Sequence, residues 1–109
     1  MLVPTSHARI FICTEAVDMR KSFSGLYGAT KQHLKEDPAS GALFVFSNRL
    51  RTMIKVLYYD RGGYCIWSKR LDKGSFEKLF GATKRALSMS ELLMLIDGVC
   101  IEKKRKRRE

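Results

Sequence analysis

Two pairs of cations flank the β-rich centre of this chain. Arg49 and Arg51 sit in one connection, and Lys69 and Arg70 close a later run. Lys55 lies between them and Lys73 follows. Guanidinium and ammonium groups placed beside the polar Asn48 and Ser68 can contact the phosphate oxygens of a nucleic-acid backbone. Each neutralised phosphate releases condensed counterions, so such binding is steeply salt-dependent. Arg20-Lys21 forms a further basic pair, whose place relative to the first group is not deducible from spacing. The competing reading is a solvated sheet end, charged to discourage edge-to-edge aggregation. Tyr58, Tyr59, Tyr64 and Trp67 can stack on bases if exposed, although rings on a small sheet more often pack its core.

Other chemistry is hard to find. His7 and His33 are the only histidines, and neither belongs to a triad or metal pattern. There is no Gly-rich phosphate loop of the Walker type. Cys13, Cys65 and Cys100 are odd in number and form no C-x-x-C pair, which argues against a disulfide framework or a zinc site. Cys65, near Trp67 on one strand, reads as core rather than nucleophile. Asp18, Glu36, Asp37, Asp60, Asp72, Glu77 and Asp97 supply carboxylates for a metal-dependent nuclease in principle. Several have simpler roles: Asp18 as a helix cap, Asp60 in a turn, Asp97 at a helix end. Glu102-Lys103-Lys104 resembles a nuclease Glu-x-Lys fragment but has no rigid scaffold. The expectation is a non-catalytic protein without metal or cofactor.

Charge points to the partner. The net charge is +10, and residues 49–85 hold ten cations against three acids. Such a surplus favours a polyanion, most often nucleic acid. Residues Lys103–Arg108 are six consecutive cations that repel one another and stay extended until neutralised. They read either as a disordered end or as a nonspecific DNA-anchoring arm. Hydrophobic residues make up 45% of the chain and prolines number two, which fits a globular protein rather than a disordered one. No apolar run approaches about 18 residues, so no membrane span is expected. The start lacks a secretory pattern, and a reduced, cytoplasmic protein is expected.

The elements that must position these groups follow from periodicity. Arg9–Thr14 reads as a buried strand. Asp18 suits the N-cap of a helix over about 19–35, with Met19, Phe23, Leu26, Tyr27, Thr30 and Leu34 on one face. The helix is expected to end before Asp37-Pro38. Three β-rich runs, 43–46, 53–59 and 64–67, are joined by short polar or Gly-bearing connections. They predict an antiparallel meander. The second hairpin sets Met53 opposite Arg70, and the first sets Phe46 opposite Met53. Residues 54, 56 and 58 share one face, while 53, 55, 57 and 59 share the other. Arg49, Arg51, Lys69 and Arg70 are therefore expected to meet at one end. Ser75 caps an expected short helix carrying Phe76, Leu79 and Phe80. Ser88-x-x-Glu91 is a capping box before Leu92, Leu93, Leu95 and Ile96, and Gly98 supplies the stop. The expected fold is α+β: an antiparallel three- to four-stranded β-meander with an N-terminal strand-helix unit and a C-terminal helical segment. A single domain over 1–102 and a basic tail over 103–109 are expected.

Taken in order, these motifs resemble the TnpB-type accessory protein of bacterial insertion sequences of family 66. The residues that carry the resemblance are Asp18–Phe23 with Gly25-Leu26, then Glu36-Asp37-Pro38 and Ser40-Gly41-x-Leu43-Phe44-Val45-Phe46-x-Asn48-Arg49. The stretch from Ile54 to Asp60 follows, with Gly63–Trp67, Lys69-Arg70-Leu71 and Gly74-x-Phe76. Leu87-Ser88, Leu92, Leu95 and Gly98 close it. The resemblance spans roughly residues 8–101 and departs mainly over Glu77–Ala86 and in the basic tail. It implies a small non-catalytic helper of transposition, while a large transposase from the same element carries the chemistry. Expected partners are DNA and that transposase, with a homo-oligomer allowed and no membrane. The contact residues expected for DNA are Arg20, Lys21, Asn48, Arg49, Arg51, Lys55, Lys69, Arg70 and Lys73. The alternative is a subunit that docks on the transposase without touching DNA.

Overall fold

A computed structural model describes residues 8–79 and 84–98. Its order of elements is β1 (Ile10–Cys13), α1 (Phe23–Ala29), β2 (Leu43–Ser47), β3 (Met53–Asp60), β4 (Gly63–Arg70), β5 (Lys84–Leu87) and α2 (Met89–Asp97). A π-helical turn, Thr30–Leu34, continues α1. The five strands form one sheet in the order β4-β3-β2-β1-β5. β1 runs parallel to β2, and the other neighbours are antiparallel. The fold is α+β, and the expected meander β2-β3-β4 is three-fifths of a larger mixed sheet.

The two helical segments cover opposite faces. Ile10, Ile12, Leu43, Val45, Ile54 and Val56 pack with Leu92, Leu95 and Ile96 of α2. Cys13, Phe44, Phe46 and Leu57 pack with Leu26, Ala29 and Leu34. β2 is central and buried on both sides, which explains why Leu43-Phe44-Val45-Phe46 shows no polar alternation. Both Phe44 and Phe46 are fully buried. α2 begins with the expected capping box. Ser88 Oγ accepts from the Glu91 backbone N–H, and the Glu91 carboxylate accepts from the Ser88 N–H at 2.9 Å. Gly98 ends it with φ of 83° in the left-handed region.

Five expectations need correction. Asp18 does not cap α1, because its carboxylate is taken up by Arg20 two residues on. The helix instead starts at Phe23, with Ser22 in the N-cap position and no side-chain cap. Its buried stripe is Leu26, Ala29, Thr30 and Leu34, which leaves Phe23 and Tyr27 exposed. The first hairpin has a different register from the expected one: Phe46 faces Lys55 rather than Met53, and Ser47 faces Ile54, a shift of two residues that preserves the faces. The described residues 75–79 are not helical. There the Phe76 N–H donates to the Arg51 carbonyl at 2.7 Å, so the segment pairs with a turn instead of coiling on itself. Finally, Lys84–Leu87 forms β5 against β1, an edge strand that no local pattern announced. Phe80 and the basic run Lys103–Arg108 lie outside the described residues.

Candidate nucleic-acid interface

The carboxyl ends of the parallel strands β1 and β2 open at one rim of the sheet. The start of β3 and the end of β4 meet them there, since Ile54 pairs with both Ser47 and Lys69. Chain leaving β1 is held alongside, because the Val17 N–H donates to the Ser47 carbonyl at 2.9 Å. A groove of about 450 Å³ results, lined by Ala16, Val17, Asp18, Met19, Arg20, Asn48, Arg49, Met53 and Arg70. Three arginines from positions remote in sequence (Arg20, Arg49 and Arg70) therefore border one concavity. A second cleft on the other side of Asn48-Arg49 also touches Arg51, Glu77 and Lys78.

Asn48 builds this rim. Its Oδ1 accepts from the backbone N–H groups of Thr52 at 2.9 Å and Met53 at 3.2 Å, and its Nδ2 donates to Thr52 Oγ1 at 2.9 Å. The Asn48 N–H donates to the Met53 carbonyl, adding a last rung to the ladder. Arg51 closes the turn with a φ of 56°, a left-handed geometry that non-glycine residues adopt seldom. Its Nε donates to the Phe76 carbonyl at 3.0 Å. Asn48 thus spends its side-chain hydrogen bonds on the turn, whereas Arg51 commits Nε, one of five guanidinium N–H donors, to the segment after β4.

The other expected residues divide by strand parity. Arg70 and Lys55 lie on the α1 face, and Lys69 lies on the α2 face, where its Nζ donates to the Ile96 carbonyl at 2.8 Å. Lys55 Nζ donates to the Lys21 carbonyl at 2.8 Å, tying the start of α1 to β3. The Lys21 side chain passes close to Gly25: a Cβ at that glycine would stand 2.8 Å from Lys21 Cβ. Lys73 is exposed after β4 and does not border the groove. The structure therefore brings Arg20, Asn48, Arg49 and Arg70 together, with Lys21 and Lys55 nearby in the fold. It sends Lys69 to the opposite face.

One feature of the rim escaped the sequence reading. Asp18 grips Arg20 through both carboxylate oxygens, with contacts at 2.7 Å and 3.1 Å, at the groove edge. The hydrogen bonds from Arg20 hold the Asp18 carboxyl well below the usual carboxylate range, and the carboxylate pushes the guanidinium up in turn. The i, i+2 spacing of an acid and an arginine was the available signal. The aromatics divide as well. Tyr58 and Trp67 pack against the α2-side core, whereas Tyr64 meets both Tyr59 and Tyr27 on the α1 side. Burial pushes the Cys13 thiol up, against a hydrogen bond to Glu15 O that pulls it down. Among the described residues no group of three or more His, Cys, Asp or Glu side chains could hold a metal, and no helix is long and apolar enough to cross a membrane.

The molecule is thus a small mixed sheet with helices on both faces and an arginine-lined groove at its parallel carboxyl ends. The chain belongs to the IS66 Orf2-like family of insertion-sequence accessory proteins, whose model matches residues 8–106. The match spans Glu77–Ala86 and reaches the first four residues of the basic run. Two proteins of Sinorhizobium fredii, each described only as an uncharacterized protein, are similar over most of their length. The chain is 36% identical to y4hO over 102 residues, covering 91% of this chain and 87% of that protein. It is 32% identical to y4jC over 102 residues, covering 91% and 86%. No solved structure matches.

Proposed function

We propose that this protein is a non-catalytic DNA-binding accessory factor for the transposition of its insertion sequence, and that the groove at the carboxyl ends of β1 and β2 contacts the phosphate backbone. The observation that carries this reading is the convergence of Arg20, Arg49 and Arg70 on one groove. Guanidinium groups match phosphate oxygens in bidentate geometry and stay charged at any physiological pH. The surrounding surplus of cations in residues 49–85 adds a long-range attraction to a polyanion. Lys21 and Lys55 extend the contact along the α1 face, and Lys73 adds to it from the segment after β4. Asn48 and Arg51 support the rim through their bonds to Thr52, Met53 and Phe76, while Lys69 is tied to Ile96 on the α2 face.

Asp18 acts as a provisional anion. It holds Arg20 in place until a phosphate takes over the guanidinium, which keeps the groove preorganised without burying a charge. The partner in this reading is the element's DNA, with the transposase bound to the same DNA supplying the strand chemistry. The test is anisotropy with a labelled duplex carrying an element end. Arg49→Ala and Arg70→Ala each weaken binding severalfold, while Lys78→Ala, outside this groove, changes it little. Equal affinity for all of these variants removes the groove from the binding surface and favours docking on the transposase instead.

A further inference from the structure

The α1 face of the sheet carries a second surface that the backbone-binding reading does not use. Phe23 and Tyr27 are four residues apart on one stripe of α1, and they remain 49% and 38% exposed. Tyr27 meets Tyr64 edge-on, with ring centroids 5.7 Å apart and planes at 86°. Tyr64 meets Tyr59 at 5.0 Å and 68°. Lys31 Nζ stands 5.4 Å from the centroid of Tyr27. The contacts run edge to face, so the rings do not close into a column.

This cluster and the arginine groove share a strand. Tyr64, Ile66, Ser68 and Arg70 of β4 alternate onto the α1 face. The aromatic cluster stands at the start of that row, and Arg70 in the groove stands at its end. Arg70 lies six residue steps beyond Tyr64 on the extended strand, a span of roughly 20 Å at about 3.3 Å per residue. β4 is the outermost strand of the sheet, so nothing of the sheet lies beyond this row. A cationic groove linked along one edge strand to exposed Phe23 and Tyr27 and half-buried Tyr59 and Tyr64 is a composition by which proteins hold unpaired nucleic acid. Phosphates track the cations while bases lie on ring faces, and every base has a face to offer. A duplex keeps its bases stacked inside and has no use for the rings.

We infer that Phe23, Tyr27, Tyr59 and Tyr64 form a base-stacking platform, and that the preferred ligand of the groove is an unpaired DNA strand lying along β4. The inference rests on the proposed backbone contact and specifies its substrate. Lys31 and Tyr27 act together: the cation over the ring also reaches towards a phosphate of the stacked nucleotide.

The experiment compares a labelled mixed-sequence DNA strand, its duplex and the RNA strand of the same sequence by anisotropy at one salt concentration. Wild-type protein is measured beside Tyr27→Leu, Phe23→Ser and the double variant Arg49→Ala/Arg70→Ala. All the substituted side chains are exposed, and thermal melts verify that the variants remain folded. The expected result is tighter binding of the single strand than of the duplex. Tyr27→Leu weakens single-strand binding roughly tenfold and leaves duplex binding unchanged, and the double arginine variant weakens both. Equal weakening of strand and duplex by Tyr27→Leu, or no effect on either, overturns the platform while leaving the groove in place. Failure of the wild type to bind any of the three nucleic acids overturns the platform and the proposed function together. Tighter binding of the RNA strand overturns the assignment to DNA. A dimer abolished by Phe23→Ser, with strand binding unchanged, overturns the platform in favour of a contact between copies.

Discussion

Asn48 offers a sharp separation between building the groove and touching a ligand. Replacing it with alanine removes two hydrogen bonds to the backbone N–H groups of Thr52 and Met53 and a third to Thr52 Oγ1. Each neutral bond is worth about 1 kcal/mol net, and part-buried N–H groups left unpaired cost somewhat more. Asn48→Ala is therefore expected to destabilise by about 2–3 kcal/mol, or roughly 10 °C in Tm for a chain of this size. Asn48→Asp keeps both bonds from the backbone N–H groups and is expected to retain most of the stability. It also places a negative charge beside Arg49 and Arg70, so it should weaken DNA binding despite a sound fold. The assay is urea denaturation followed by circular dichroism, with anisotropy on the same samples. A shift in midpoint at constant slope identifies a stability effect. Unfolding of Asn48→Ala within about 0.5 kcal/mol of wild type would mean that the turn does not depend on this side chain.

Two further expectations follow from the local geometry. The Asp18 carboxyl, followed by carbon-detected NMR, should titrate below the ordinary carboxylate range and rise towards it in Arg20→Ala, where the backbone N–H of residue 20 still donates to it. A carboxyl depressed in the folded state adds stability above its unfolded pKa and loses it as pH falls through the folded one. The Asp18–Arg20 contact should accordingly persist at pH 4, and its disappearance there would contradict the assignment. Ser88→Ala removes one half of the capping box and should cost about 1 kcal/mol, read as a lower urea midpoint, whereas Ser90→Ala should cost little.

Local signals carried much of this fold. The β3–β4 register was legible because the turn over residues 60–63 fixes it, and α2 was legible because Ser88, Glu91 and Gly98 each specify a backbone geometry. β5 was not, because Lys84–Leu87 is short and pairs with β1 across some seventy residues of chain. Asp18 misled for a physical reason: the carboxylate that suits a helix cap suits an arginine two residues away even better. Phe23 and Tyr27 misled because their spacing is helical, yet the helix turns a neighbouring stripe inward. At the site, parity was the decisive rule. Lys69 and Arg70 are adjacent in sequence and so point to opposite faces, and only Arg70 borders the groove with Arg20 and Arg49. The contribution of Arg20 required the tertiary contact between the segment after β1 and the end of β2.

If the groove meets phosphates through its arginines, duplex binding weakens with salt in proportion to the phosphates neutralised. Each phosphate neutralised contributes about 0.9 to the slope of log affinity against log salt. Three arginines at the groove therefore account for a slope of about −2.7, or roughly a fortyfold loss between 50 and 200 mM salt. Other cations steepen the total, so the informative quantity is the difference between proteins. The double variant Arg49→Ala/Arg70→Ala should flatten the slope by about 1.8. Identical slopes for wild type and variant would mean that Arg49 and Arg70 neutralise no phosphate.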